Sequence, residues 1–203
     1  DVPGTDYCIG FSTCLTRTLS LATQVRSSAA SHERIMVFEV FGRYAGFTAL
    51  LPTLAGAADR CVIPESPFDI SRLTELLVAD RRRNPERFSA VLVSEGAMLQ
   101  GGEMVFQGKE TDQYGHAKLG GIGSQVSAMV KELSSRYNDG RKIDMISMNL
   151  SYLVRSGEPD ALDSVVPLVY GNLAIDSILR GTFGVMVALR NGRYGSVPID
   201  TVV

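Results

Sequence analysis

The stretch RIMVFEVFGRYAG, residues 34–46, decides the fold class that we expect for this 203-residue chain. Its residues 35–40 form a nearly continuous apolar run, which is typical of a central strand covered on both faces. The run leads into Gly42 and Arg43, and a helix is predicted to begin shortly afterwards. Loops at the carboxyl ends of parallel strands are where α/β proteins commonly bind ligands. The stretch therefore predicts a buried strand beside an anion site, with Arg34 and Arg43 as candidate cations.

Strands and helices alternate along the rest of the chain. Helices are predicted from a cap at Thr5 or Asp6 to about residue 30, and over residues 45–57 and 69–82. Two more are predicted, one opened by residues 118–123 and carrying apolar positions from Ile122 to Leu133, the other carrying apolar positions from Leu162 to Leu173. Further strands are predicted over residues 60–63, 89–94, 142–148, 184–189 and 194–199, the last two around a turn at Asn191-Gly192. Residues 100–121 are predicted to form a loop with a short hairpin. This alternation predicts an α/β fold with a mostly parallel sheet.

Composition excludes several classes of protein. A formal charge of −2 gives no general attraction to nucleic acid or to an anionic membrane, and no apolar run approaches the roughly 18 residues of a span. Three cysteines in apolar surroundings predict reduced thiols, and two histidines without clustered cysteines argue against structural zinc. We expect a cytoplasmic protein without nucleic-acid or membrane partners. Because the chain begins at Asp1 rather than a methionine, we expect it to be a piece of a longer protein.

Three loops near predicted strand ends carry charge or glycine, at residues 41–43, 94–96 and 152–157. A sugar phosphate is bound by guanidinium groups at its phosphate and by a carboxylate at its hydroxyls. The candidate guanidinium groups belong to Arg34, Arg43 and Arg155. Glu95 is the candidate carboxylate, although it could equally cap the segment that follows. Each arginine could instead be a surface cation, and Tyr152 an aromatic residue at the edge of the core.

Two other features have plain structural interpretations. The segment KLGGIG, residues 118–123, resembles a glycine-rich phosphate loop but lacks the strand–GxxxxGK[ST]–helix order of a Walker loop. Its glycines could simply permit a tight entry into the next helix. The arginines at residues 81–83 suit the carboxyl end of a helix and are interpreted as solvated.

Taken together, four segments resemble the 6-phosphofructokinase family. They are DVPGTDYCIGF at residues 1–11, SHERIMVFEVFGRYAG at 31–46, VSEGA at 93–97 and YLVRSGEPDALD at 152–163. The resemblance implies a Rossmann-like three-layer α/β fold with a substrate domain and part of a donor domain. Residues 1–10 would end the active-site loop of the donor domain, residues 11–152 would bind fructose 6-phosphate, and residues 153–203 would return to the donor domain.

The resemblance also implies an activity. It is the transfer of a phosphoryl group to O1 of fructose 6-phosphate, giving fructose 1,6-bisphosphate, with Mg²⁺ in glycolysis. The family's T-I-D-N-D motif holds the general base at its first Asp, and Asp1 matches only the second. The base would therefore lie two residues upstream of Asp1, which itself is expected to contribute to substrate binding. We expect the 203 residues alone to be inactive.

Site residues follow from the same resemblance. Arg43 resembles the catalytic arginine that stabilises the transferred phosphoryl group, where charge builds up in the transition state. Phe41 and Gly42 resemble the pair whose backbone lines the sugar, and Phe41 replaces a methionine that is often found there. Glu95 resembles the carboxylate that binds the sugar hydroxyls.

The 6-phosphate would be bound by residues of two subunits. Arg155 resembles a ligand from the same subunit, and Tyr152 stands where many ATP-dependent members have a histidine. Arg34 resembles the arginine that reaches a neighbour's substrate, which implies a homo-oligomer with shared sites. A further arginine is usual where this chain has Ile146, and Arg141 or Lys142 could replace it only if the loop shifts.

The phosphoryl donor is the least determined feature. Tyr152, the turn at residues 155–163 and the KLGGIG segment look closer to pyrophosphate-dependent members of the family. An ATP-dependent 6-phosphofructokinase is the first alternative. A sugar-phosphate-binding or regulatory module without chemistry is the second.

Overall fold

A computed structural model describes residues 2–103, 106–111, 117–119 and 121–202. The chain divides into two compact units. We call Leu15–Val154 the sheet unit, and Asp1–Cys14 together with Arg155–Val203 the terminal unit. The side chains of the predicted hairpin, Lys118 of KLGGIG included, lie outside the described residues, as does Asp1.

The sheet unit is built on four parallel strands in the order β2-β3-β1-β6. The strands are β1 (Ile35–Val40), β2 (Arg60–Val62), β3 (Ser89–Ser94) and β6 (Met145–Asn149). Helices α1 (Phe11–Ala30), α2 (Phe47–Leu54), α3 (Ile70–Arg83) and α4 (Ile122–Ser134) alternate with them, although the first turn of α1 belongs to the terminal unit. Between β3 and α4 an antiparallel pair is formed by β4 (Phe106–Thr111) and β5 (Ala117–Leu119). The predicted α/β fold with a parallel sheet is confirmed.

Strand β1 is buried along its whole length, as its sequence predicts. Ile35 and Val37 face a core that α3 and α4 complete, with Leu77 and Val126 among its members. Successive side chains of a strand point to opposite faces, and Phe38 on the other face is also fully buried. Each such side chain contributes roughly 1.5–3 kcal/mol by leaving water, so β1 is held in place from both sides.

The terminal unit contains a helix and a hairpin. Helix α5 (Ala161–Leu179) precedes strands β7 (Val185–Arg190) and β8 (Arg193–Pro198). The two strands pair along their full length around Asn191 and Gly192. Both turn residues have positive φ, at 50° and 72°, which matches the right-handed twist of the strands. The predicted hairpin is therefore confirmed.

The predicted start of the first helix is wrong. Helix α1 begins at Phe11, and the polar groups of Thr5 and Asp6 serve the hairpin instead of capping a helix. The amide of Leu189 donates to Thr5 Oγ1 at 3.1 Å, and the amide of Asn191 donates to Asp6 Oδ2. These bonds join residues more than 180 positions apart, which a local pattern does not reveal.

Helix α5 corrects one expectation about composition. It has 19 residues, and an 18-residue stretch of it has a mean hydropathy of 1.3. Among the described helices it alone is long and apolar enough to cross a membrane. The expectation that no run approaches that length was wrong. Length and composition alone are weak evidence for a span, and the helix carries two aspartates, Asp163 and Asp176. The absence of a membrane partner stays a prediction.

Candidate active site

The loops after β1 and β3 are joined at the carboxyl edge of the sheet. The amide of Glu95 donates to the Val40 carbonyl at 3.0 Å, and the amide of Gly96 donates to the Gly42 carbonyl at 3.1 Å. A Cβ on Gly96 would lie only 1.8 Å from the carbonyl oxygen of Arg43. Only glycine permits this approach, so the two loops have one fixed arrangement. It places the loop of Arg43 beside the loop of Glu95.

Gly42 is required by its own backbone. Its φ is +146°, which L side chains rarely adopt, and a Cβ there would lie 2.8 Å from the Ala45 carbonyl oxygen and 3.0 Å from Thr48 Oγ1. The Thr48 hydroxyl donates to the Phe41 carbonyl and so fixes the same turn from within. The backbone turn between β1 and α2 is thereby fixed at the sheet edge.

Charged and polar groups of differing exposure meet at this edge. Glu95 is 9% exposed, whereas Arg43 is partly exposed and Phe41 is 40% exposed. The buried Ser94 Oγ has no hydrogen-bond partner within the described residues, so a polar group at the end of β3 is left unsatisfied. A carboxylate and a guanidinium on adjoining loops can bind hydroxyls and a phosphoryl group respectively.

A third loop reaches the same edge from β6, which pairs with β1. The amide of Leu150 donates to the Glu39 carbonyl at 2.8 Å, and the amide of Val154 donates to the Leu150 carbonyl at 3.0 Å. Between these fixed points Tyr152 is 81% exposed. The structure therefore brings the loop of Tyr152 to the edge where Arg43 and Glu95 lie.

Glu39 is a residue that sequence reasoning missed. It is 2% exposed, and its carboxylate accepts bonds from the amides of Gly121 at 3.0 Å and Gly123 at 2.8 Å. Asn149 Nδ2 donates to Glu39 Oε1 at 2.8 Å. One carboxylate therefore joins β1, β6 and the start of α4, where negative charge is favoured. The available signal was a single acidic residue inside an otherwise apolar strand.

These bonds also explain the KLGGIG segment. A Cβ on Gly123 would lie 2.8 Å from Glu39 Cβ, so this glycine permits the helix to approach β1. The amides of Gly121 and Gly123 are directed at a carboxylate of the protein itself. The structural interpretation of these glycines accounts for the contacts, and nothing here requires a phosphate loop.

Arg34 lies at the opposite end of β1 from Arg43. A six-residue strand separates them, which corresponds to roughly 20 Å at about 3.3 Å per residue. The two cations therefore do not serve one site within this chain. Arg34 Nε is buried without a hydrogen-bond partner among the described residues.

Arg141 and Lys142 do not replace the arginine that was expected at position 146. Ile146 lies in β6 opposite Met36 of β1. Arg141 and Lys142 precede the strand, at its amino end. Lys142 Nζ lies 2.6 Å from Glu132 Oε2, so the loop has not shifted to supply a cation at Ile146.

The terminal unit holds the remaining candidate, Arg155, which ends the short 3₁₀ turn Leu153–Arg155 and is exposed. In the same unit Asp163 accepts bonds from Tyr7 Oη at 2.7 Å, the Gly10 amide at 2.8 Å and the Thr13 amide at 2.7 Å. Asp163 lies in the segment YLVRSGEPDALD, and Tyr7 and Gly10 lie in DVPGTDYCIGF. Sequence reasoning singled out both segments but not the buried aspartate that joins them.

This network shifts two pKa values. Burial alone would raise the pKa of Asp163, but the hydrogen bonds from Thr13, Tyr7 and Gly10 outweigh it, so the pKa is lowered. Burial, and then the bond to the Asp163 carboxylate, raise the pKa of Tyr7. The unit is therefore built around an ionised aspartate and a neutral tyrosine.

Metal ligands do not converge anywhere in the described part of the chain. No three side chains of His, Cys, Asp or Glu in these ranges could hold an ion together. Mg²⁺ is commonly held by one or two carboxylates together with substrate phosphates, so the Mg²⁺ that the resemblance implies stays a prediction.

The fold and this edge define an α/β domain with an arginine and a buried carboxylate on adjoining loops at the carboxyl edge of its parallel sheet. Residues 1–178 match the family described as phosphofructokinase, and the chain belongs to that family.

Some similar proteins are named as pyrophosphate-dependent enzymes and others as ATP-dependent enzymes. The chain is 35% identical over 190 residues to a pyrophosphate–fructose 6-phosphate 1-phosphotransferase of Amycolatopsis methanolica, covering 94% of this chain and 53% of that protein. It is 36% identical over 199 residues to an ATP-dependent 6-phosphofructokinase of Chloroflexus aurantiacus, covering 98% and 52%. The solved phosphofructokinase of Saccharomyces cerevisiae matches with a TM-score of 0.76 and 22% identity, over 99% of this chain and 25% of that one. The chain spans about half the length of the curated relatives it matches.

Proposed function

We propose that this chain is the fructose 6-phosphate-binding part of a phosphotransferase that uses pyrophosphate. Phosphorus would gain a bond to O1 of fructose 6-phosphate and lose its bond to the departing inorganic phosphate. The O1 proton would pass to a general base, and fructose 1,6-bisphosphate would be formed. Because the chain spans about half the length of its curated relatives, the activity is proposed for a longer polypeptide, in the cytoplasm and in glycolysis.

The observation that carries this proposal is the contact between Gly96 and the Arg43 carbonyl. It fixes two loops whose side chains have complementary tasks in transferring a phosphoryl group to a sugar. Phosphoryl transfer needs positioning and charge stabilisation more than covalent chemistry by the protein. A rigid edge with one guanidinium and one buried carboxylate meets that need.

Different residues of the sheet unit would bind different parts of the substrate. Arg43 would stabilise the phosphoryl group in transfer, because negative charge develops there in the transition state. Glu95 would accept hydrogen bonds from sugar hydroxyls, and the backbone of Phe41 and Gly42 would line the ring. The sheet unit would then be the substrate domain, and the terminal unit part of the donor domain.

The 6-phosphate would be bound by Tyr152 and Arg155 of one subunit and by Arg34 of a neighbour. The roughly 20 Å between Arg34 and the carboxyl edge supports this division, since one chain cannot use both ends of β1 for one substrate. The buried Nε of Arg34, for which the described part of the chain offers no hydrogen-bond partner, supports an anion beside it. A homo-oligomer with shared sites follows from these roles.

The base and donor groups would lie outside the described residues. By the family's motif the base is the first Asp of T-I-D-N-D, two positions before Asp1, which would itself contact substrate. Mg²⁺ would accompany the donor phosphates. Pyrophosphate is proposed as the donor because Tyr152, the turn at residues 155–163 and the KLGGIG segment resemble pyrophosphate-dependent members of the family.

The donor is tested by assaying the longer polypeptide with fructose 6-phosphate and either pyrophosphate or ATP, and by measuring fructose 1,6-bisphosphate. We expect turnover with pyrophosphate only. Turnover with ATP alone would keep the phosphotransferase and overturn the donor. Saturable binding of fructose 6-phosphate without turnover on either donor would establish the non-catalytic module instead.

A further inference from the structure

Asn149 ends β6 and joins the buried carboxylate of Glu39 to the loop that carries Tyr152. Its Nδ2 donates to Glu39 Oε1 at 2.8 Å, and its Oδ1 accepts from the Ser151 amide at 2.9 Å. The side-chain amide of asparagine contains one donating and one accepting group, and both are used here. An aspartate at this position would keep only the acceptor.

The loop after β6 is held on both sides of Tyr152. Leu150 and Val154 are fully buried, and the Leu150 amide donates to the Glu39 carbonyl at 2.8 Å. Ser151, which directly precedes Tyr152, is only 9% exposed. The bond from its amide to Asn149 therefore fixes the backbone from which Tyr152 projects.

The two oxygens of the Glu39 carboxylate have different partners. The Gly121 amide lies 3.0 Å from both oxygens, and the Gly123 amide donates to Oε2 at 2.8 Å. Asn149 donates to Oε1 alone. An NH₂ group can therefore take the place of Oε1 if the group at position 149 becomes an acceptor, because Oε2 keeps both glycine amides.

We propose that Asn149 is a positioning residue for fructose 6-phosphate, which acts by holding Tyr152 in the direction needed to bind the 6-phosphate. The inference rests on the proposed function, in which Tyr152 is a ligand of that phosphate. A hydroxyl forms a good hydrogen bond only within a narrow range of distances and angles. Because Tyr152 is 81% exposed, its direction depends on the backbone of the loop, which Asn149 holds through Ser151.

The test is steady-state kinetics of the longer polypeptide, with fructose 6-phosphate varied and with the donor that supports turnover. Asn149→Asp replaces the donor 2.8 Å from Glu39 Oε1 by an oxygen, and two carboxylates so close repel each other. We expect KM for fructose 6-phosphate to rise about tenfold, as for the loss of one hydrogen bond to a charged group. The value of kcat should stay within about twofold, because contacts with the 6-phosphate are made equally in the ground and transition states.

A second variant removes the bonds without adding a charge. Asn149→Ala loses both the bond to Glu39 and the bond from Ser151. It should raise KM at least about threefold, in keeping with the loss of ordinary hydrogen bonds, and again leave kcat nearly unchanged.

The double variant Glu39→Gln/Asn149→Asp exchanges the donor and the acceptor. The new amide at position 39 donates to the new carboxylate at position 149, which still accepts from the Ser151 amide. The remaining oxygen at position 39 keeps the amides of Gly121 and Gly123. Since the hydrogen bonds are restored, we expect KM to return to within about threefold of the parent value.

The matched control is Asn84→Asp. Asn84 likewise uses both groups of its side chain: Nδ2 donates to the Phe88 carbonyl at 3.0 Å, and Oδ1 accepts from the Glu86 amide at 2.9 Å. It lies between α3 and β3, at the amino end of the sheet. The control should lower the midpoint of chemical denaturation, as Asn149→Asp does, but change KM less than about twofold, because its lost donor faces only its own loop.

The loop that contains Asn84 is anchored independently of the carboxyl edge. Arg81, in the last turn of α3, is 6% exposed, and its Nε donates to the Glu33 carbonyl at 2.6 Å. The interpretation of Arg81 as a solvated helix end is therefore wrong. A change at Asn84 is thus met by contacts that do not involve Tyr152.

An unchanged KM in Asn149→Asp, with a lowered denaturation midpoint, would make Asn149 a structural residue only and overturn the proposal. A double variant that does not recover, or an equal rise of KM in the control, would overturn it as well. If the parent polypeptide binds fructose 6-phosphate without turnover, the same variants are compared by Kd, so loss of the proposed chemistry does not decide this role. A parent that neither turns over nor binds the sugar phosphate would overturn the proposed function and this role with it.

Discussion

In the sheet unit, the backbone of Gly96 lies against that of Arg43 so closely that a methyl group on Gly96 would come within 1.8 Å of the Arg43 carbonyl oxygen. The loops after β3 and β1 are therefore one structural element at the sheet edge. The geometry of the candidate site depends on a position that has no side chain. The contribution of Gly96 can be measured as the change in the free energy of unfolding when it is replaced.

We expect Gly96→Ala to destabilise the fold by roughly 1–3 kcal/mol, since the added methyl group forces the loops apart. Chemical denaturation of both proteins measures this difference. The matched control is Gly171→Ala in helix α5, where no atom lies within 4 Å of the new Cβ. Alanine there should stabilise the chain by about 0.5–1 kcal/mol, because it suits a helix interior better than glycine. Equal stabilities of Gly96→Ala and the parent chain would contradict the close contact.

The sequence predicted β1 and β3 to the residue because each is an unbroken buried run that ends at a polar loop. It predicted the carboxyl edge for the same reason, since parallel strands deliver their loops to one side. The contacts that complete the edge were not predictable from spacing. Glu39 accepts hydrogen bonds from the amides of Gly121 and Gly123, more than 80 residues away. An acidic residue within a strand does not indicate which distant groups will bind it.

We expect Glu39→Gln to destabilise the chain by roughly 1.5–3 kcal/mol. The Glu39 carboxylate accepts hydrogen bonds from two backbone amides and from the Asn149 side chain. In the glutamine variant, one of the two oxygens is replaced by an NH₂ group, which would face these donors with donors of its own. A buried donor without an acceptor carries a desolvation cost of this size. The measurement is again the free energy of unfolding. The control Glu132→Gln removes an exposed pair with Lys142 and should cost less than about 1 kcal/mol. A similar cost for both variants would refute the role of Glu39.

The pH dependence of stability should follow Asp163. Burial by itself would raise its pKa, but the bonds from Thr13, Tyr7 and Gly10 lower it, so the folded state binds the proton less readily than the unfolded state. Its contribution is fully present above the unfolded pKa of about 4 and is lost as the pH falls through the lower folded pKa. Asp163→Asn should therefore lose roughly 2–3 kcal/mol near neutral pH, and less below pH ~4.

Unfolding curves at several pH values test this, with Asp176→Asn as the matched control. Asp176 lies on the same helix, with a largely exposed side chain 4.0 Å from Arg180, and its loss should change stability by about 0.5 kcal/mol or less. A constant difference between Asp163→Asn and the parent from neutral to acidic pH would show that the titrating group is another one.

The role proposed for Arg43 predicts a specific kinetic change. In the longer polypeptide, Arg43→Ala should lower kcat by about 10²–10³-fold, the usual effect of removing one donor aimed at transition-state charge. The KM for fructose 6-phosphate should change little, because the interaction is made mainly in the transition state. The control Arg72→Ala removes an exposed pair with Glu75 at the start of α3 and should leave both parameters unchanged. A large rise in KM at constant kcat would reassign Arg43 to substrate binding.

Arg155 should show the opposite pattern. Its proposed ligand, the 6-phosphate, lies at the far end of the sugar from O1, so its contacts are made equally in the ground and transition states. Losing such uniform binding raises KM without changing kcat. For Arg155→Ala in the longer polypeptide we expect KM to rise roughly 10–100-fold, the equivalent of one strong charged interaction, with kcat within about threefold. Arg180→Ala, another exposed arginine of the terminal unit, is the control and should leave KM unchanged. If Arg155→Ala lowered kcat as strongly as Arg43→Ala and left KM unchanged, Arg155 would belong with the reacting phosphoryl group and not with the 6-phosphate.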